Sequence, residues 1–169
     1  MPPHSLTMTA IGASVQLLPV ATRRTLHAVW PIKLIFWLTM PGLMALVTGM
    51  HMGEPAILAP AAIATTVGLF LFCALLADNL RRAGSLPVVS AYGWAALVML
   101  VLVILLGTTL ALDEDAAFLG DHGAVALAHM ILGGFGFMGL LALGFSHILI
   151  PMFALASAPP KRPSYSGFA

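Results

Sequence analysis

The sequence predicts an all-α, polytopic transmembrane bundle of about five helices, and three observations carry that expectation. Hydrophobic residues make up 60% of the 169 and charged residues only 8%, against roughly 25% charged in a soluble domain. The charges are segregated, and between them lie apolar runs of about twenty residues, the length that crosses a hydrocarbon core of about 30 Å as a helix. None of these runs alternates with a period of two, and lipid offers backbone groups no hydrogen-bond partner, so the runs should be helices. The whole chain, 1–169, reads as one transmembrane helical domain whose first partner is the lipid bilayer.

In chain order, the first run extends from Leu6 to Ala21, is short for a span, and is followed by Arg23 and Arg24. The second, Ala28 to Met50, holds Lys33 and Pro41; the proline should kink it by removing one backbone donor. It ends at His51, with Met40, Met44, Met50 and Met52 close by in sequence. The third, Ala56 to Ala77, contains the single cysteine, Cys73, whose apolar surroundings point to packing. Asp78 then precedes Arg81 and Arg82 at helical ion-pair spacing. Val88 to Leu112 is the fourth run, and Asp113, Glu114 and Asp115 after it read as a solvated loop. The fifth extends from Gly123 to Ser157, with Asp121 placed to cap it.

With five alternating spans, all the lysines and arginines fall on one side, which the positive-inside rule makes cytoplasmic. The N-terminus is then outside and the C-terminus inside a bacterial-type plasma membrane, with Trp30 and Tyr92 as interfacial anchors. There is no basic stripe for nucleic acid. The first apolar run is followed, not preceded, by its arginines, unlike a signal peptide.

Residues 12–20 read GASVQLLPV and residues 144–152 read GFSHILIPM. Gly12 matches Gly144, Ser14 matches Ser146, Leu17 matches Leu149 and Pro19 matches Pro151, at a constant offset of 132. The expectation is a parallel repeat of four spans. In it 1–22 is the tail of a truncated first copy and 123–157 the equivalent full helix of the second, and missing helices or other membrane subunits are partners.

On the last run, His129, Gly133, Gly136, Leu140, Gly144 and His147 recur at steps of three or four and share a helix face. At 1.5 Å per residue the two histidines lie about 27 Å apart. An imidazole followed by glycines offers an iron ligand and a wall flat enough for a porphyrin. Small residues at this spacing also let another helix approach closely in lipid, the favoured reading for the glycines taken alone, while His129 serves as a metal ligand or a hydrogen-bonded packing residue with similar ease.

The stretch from Leu127 to Met152, LAHMILGGFGFMGLLALGFSHILIPM, resembles the second transmembrane helix of the haem-copper oxidase catalytic subunit. The resemblance implies three arcs of four helices in the full family fold and a low-spin haem b with His129 as axial iron ligand. Gly133 and Gly136 would then lie beside the porphyrin, and the second ligand would be His51 or a histidine from missing sequence. The family's copper-site motifs are missing: no histidine lies four residues before Tyr92 or Tyr165, and no two histidines are adjacent. This chain alone therefore holds no complete oxidase active site, and electron transfer is the activity implied. Two alternatives stand beside it. One is a non-haem membrane module for assembly, sensing or metal handling, in which Met40, Met44, Met50 and Met52 beside His51 would suit Cu(I), although methionine is also ordinary packing material and copper is the less supported ligand. The other is a four-histidine cytochrome using His27, His51, His129 and His147.

Overall fold

The computed structural model describes residues 3–22, 30–82 and 87–154. The described residues form helices only: α1 (Pro3–Thr22), α2 (Trp30–Met52), α3 (Pro55–Arg81), α4 (Pro87–Ala116), α5 (His122–Ile131) and α6 (Leu140–Phe153). A π-helical segment, Leu132–Gly139, joins α5 to α6 without a break, so that the bundle has five helices. Four of them are long and apolar enough to cross a membrane: Trp30–Met52, Pro55–Arg81, Val88–Glu114 and His122–Phe153. Five spans were expected. In α1 the apolar stretch Met8–Leu17 is below span length among the described residues.

The helix ends follow from their residues. Pro55 and Pro87 open α3 and α4 at the position where a missing N–H costs nothing. Gly53, at φ +66°, turns the chain out of α2, and the Glu54 N–H donates back to the Gly49 carbonyl at 3.0 Å. Asp121 caps α5 as expected, accepting from the Ala124 N–H at 2.9 Å. Asp113 and Glu114 are not in a solvated loop: both belong to the last turns of α4, and Asp113 is only 6% exposed. Its carboxylate accepts the Leu119 N–H at 2.6 Å and the His122 Nδ1–H at 2.7 Å, tying the α4–α5 connection to both helices. That role is possible because α4 runs a turn further than the apolar pattern does.

Consecutive helices pack antiparallel in a row, α2 on α3, α3 on α4, and α4 on α5 through α6, while α1 touches α2, α3, α4 and α6. The α2–α3 seam is built from two copies of one short pattern, Thr39-x-x-Gly42 and Thr65-x-x-Gly68. A Cβ added at Gly68 would stand 2.4 Å from Thr39 Oγ1, and one at Gly42 2.5 Å from Thr65 Oγ1. Each threonine thus seats against the other helix's glycine. Neither hydroxyl has a hydrogen-bond partner among the described residues, although Thr48, Thr108 and Thr109 each donate to the carbonyl four residues back. Along the α3–α4 seam the Thr108 proton goes to the Ile104 carbonyl, so Thr66 is the donor in the 3.0 Å bond between Thr66 and Thr108. Phe72 of α3 meets Phe137 of the π segment edge to face, with ring centroids 6.5 Å apart.

This antiparallel register sorts the charges. One end of the row carries Lys33, Arg81 and Arg82, and the other Glu54, Asp113, Glu114 and Asp121. Arg82 pairs with Asp78, the i, i+4 pair foreseen from the spacing. Arg23, Arg24, Lys161 and Arg162, together with the expected end of the last run at Ser157, lie outside the described residues.

Candidate functional site

His129 sits at the end of α5, where the π segment begins, and its imidazole is turned onto α4. The contact residue is Gly107: a Cβ there would be 2.9 Å from His129 Cε1 and 3.4 Å from Nδ1. The Val103 carbonyl lies beside the ring. Nδ1 is nevertheless buried and makes no hydrogen bond among the described residues.

The glycines that follow lie on the same side, as their spacing indicates, and α4 covers them. A Cβ at Gly136 would be 3.1 to 3.3 Å from the Met99 side chain; one at Gly133 would be 3.9 Å from Val103; one at Gly144 would be 2.9 Å from Tyr92 Cβ. Tyr92, expected as an interfacial anchor, is partly buried here and stacks on His147 with ring centroids 5.4 Å apart. The His147 Nδ1–H donates to the Leu143 carbonyl at 2.8 Å, which leaves Nε2 as the acceptor nitrogen. On the opposite side of the π segment Gly134 has nothing within 4 Å, and Phe135 is 81% exposed.

A porphyrin needs an open slot beside its ligand. The slot that the sequence suggested between His129, Gly133 and Gly136 is filled by Gly107, Val103 and Met99, so the residues as packed do not fit a haem held between α5 and α4. His51 is not brought to His129 either. It is exposed at the end of α2, with α3 and α4 between it and α5. Gly42 packs on Thr65, beside the Thr66–Thr108 bond and Gly107. His51 is nine residues past Gly42, so it stands about 13 Å further toward the acidic end than His129. His27 is outside the described residues. Among those described, no three His, Cys, Asp or Glu side chains are grouped to hold a metal, and Met44, Met50 and Met52 are exposed.

The repeat-mates occupy unlike surroundings. Gly12 has nothing within 4 Å, whereas Gly144 is tightly packed. The Ser14 hydroxyl is buried and donates to the Ala10 carbonyl; the Ser146 hydroxyl is exposed and donates to the Leu143 carbonyl, each at 2.7 Å.

Sequence reasoning missed the π segment, Gly107 and the Asp113 clasp. The glycines at 133, 134, 136 and 139 are a signal for the first, since wide turns form readily where no Cβ crowds the helix, and such segments are frequent at functional sites. They also pack more residues into each turn, so about 27 Å is an upper bound for the His129–His147 separation. Gly107 is the only glycine in the apolar run of α4 after Gly93, but nothing local ties it to a histidine 22 residues on. Comparison of the chain with protein-family models, with curated proteins and with solved structures gives no match.

Proposed function

We propose that this chain is a multi-pass integral membrane module of the oxidase-subunit-I-like kind, in which the oxidase-like helix serves helix packing and not haem capture. The observation that carries the reading is the closure of the glycine face by α4. His129 against Gly107, Gly136 against Met99 and Gly144 against Tyr92 form one continuous seam, the use of small residues expected for helices associating in lipid. Among the roles open to a non-haem module, assembly with further membrane helices suits the molecule better than copper handling, because Met44, Met50 and Met52 of α2 lie on its exposed surface and line no enclosed site among the described residues. In this proposal the bundle is inserted with its basic end cytoplasmic, and α1 is the counterpart of α6 in a parallel duplication.

One observation favours a second reading. A buried Nδ1 without a partner is expensive, and an iron bound to that nitrogen, with α4 moved aside to admit haem b, would satisfy it. An absorption spectrum of the purified full chain separates the two. The packing reading expects no reduced-minus-oxidised haem b band. A band that disappears in His129→Ala while the protein stays inserted would establish the haem reading in its place.

A further inference from the structure

From the exposed face of α2 we infer a binding site for the phosphate headgroup of an anionic phospholipid, centred on Lys33; the inference rests on the membrane reading above. Trp30, Lys33 and Trp37 fall within an arc of about 60° at 3.6 residues per turn, while Ile35, Thr39 and Gly42 point to the opposite side, into α3. The stripe is fully on the outside of the bundle. Trp30 is 68% and Trp37 69% exposed, Lys33 is exposed between them, and Leu34 continues the face at 40%.

What makes this a site is charge that no described residue neutralises. Lys33 makes no ion pair among the described residues. The chain has six acidic residues. Five of them lie at the opposite end of the row: Glu54 after α2, Asp113, Glu114 and Asp115 in the last turn of α4, and Asp121 at the cap of α5. The sixth, Asp78, is engaged by Arg82 through both its carboxylate and its backbone carbonyl and belongs to α3, on the side of α2 that Lys33 faces away from. An ammonium on a lipid-facing helix surface must find its counter-charge outside the protein, and its four-carbon stem lets it reach the headgroup layer. Lys33 is one turn in from Trp30, about 4.5 Å of rise, where a phosphodiester lies within reach. Trp30, at the outer end of the stripe, is an aromatic side chain that favours the headgroup boundary, and Trp37 continues the same exposed face about 6 Å further in. The complementary partner is a lipid with a net negative headgroup; a zwitterionic lipid brings its own cation to compete with the lysine.

The test uses the full chain, carrying Trp94→Phe so that only Trp30 and Trp37 emit, reconstituted in phosphatidylcholine vesicles containing brominated-chain phosphatidylcholine or brominated-chain phosphatidylglycerol. Quenching of tryptophan fluorescence reports which lipid occupies the surface beside them. The expected result is quenching by both, with phosphatidylglycerol preferred by about fivefold, the ratio that one lysine near the membrane surface supports. Lys33→Gln should bring the ratio to about one, Lys33→Arg should retain it, and salt should erode it in the parent. Equal quenching in the parent, or a preference that survives Lys33→Gln, overturns the lipid site alone. Absence of quenching by brominated phosphatidylcholine overturns the membrane reading on which it rests.

Discussion

Replacing Gly68 by alanine should drive α2 and α3 apart, and the α2–α3 clasp sets the size of the effect. The added Cβ would lie 2.4 Å from Thr39 Oγ1, 3.1 Å from Leu38 Cβ and 3.2 Å from Thr39 N. Ordinary contact begins near 3.4 Å, so the hydroxyl contact alone requires the helices to separate by about 1 Å. A gap of that size forfeits a quarter to a half of the dispersion energy of each contact along the seam. Overpacking of this kind destabilises by about 1–3 kcal/mol. The companion change, Thr39→Ala, removes a buried hydroxyl that has no hydrogen-bond partner among the described residues, so it should be close to neutral. In the double variant the worst contact disappears and only the 3.1–3.2 Å contacts remain, which a shift of a few tenths of an ångström relieves. The double variant should therefore be more stable than Gly68→Ala, with a coupling energy of about 0.5–2 kcal/mol. Cys73 supplies the assay, since it is the single cysteine and buried on α3: a thiol-reactive fluorophore added in detergent reports the temperature at which the bundle opens. Gly68→Ala as stable as the parent, or a Thr39→Ala background that rescues nothing, would refute the clasp.

Three further outcomes follow from the same geometry. Along the α4 seam, alanine should be tolerated at Gly133, where the nearest atoms are 3.9 Å away, and at Gly136, where a flexible methionine can yield; at Gly144 and Gly107, 2.9 Å from Tyr92 Cβ and the His129 ring, it should lower the same opening temperature. A flat response across the four positions would show that α4 does not seal this face. Asp113→Ala removes the acceptor for both Leu119 and His122, so it should expose residues 117–121 to protease, whereas Glu114→Ala, 3.9 Å from His122 Nε2, should leave the connection protected. Single cysteines at Gly120 and Arg82, in a Cys73→Ala background, should react with an impermeant thiol reagent from opposite faces of sealed vesicles, outer and cytoplasmic respectively; labelling from one face would break the antiparallel insertion.

The helix class, four of the five expected spans and, among the described residues, the separation of basic from acidic ends were legible in the sequence because each depends on quantities summed along the chain. About twenty apolar residues cross a bilayer wherever they occur, and a charge between two such runs has nowhere else to go. Local chemistry was legible as well: Asp121 as a cap and Asp78 with Arg82 need only neighbours within one turn. Tertiary structure decided what each helix face meets. In a soluble helix the polar side marks solvent, but α2, α3 and α4 are apolar nearly all round, and Trp30, Phe135 and Ile63 on the outside are as hydrophobic as Phe72 and Leu76 in the core. Apolarity then carries no direction. The faces are chosen by steric fit, Thr39 on Gly68, Thr65 on Gly42 and His129 on Gly107, between residues 22 to 29 positions apart, and that is why the glycines after His129 could be read as a slot for a porphyrin as well as the seam that α4 fills.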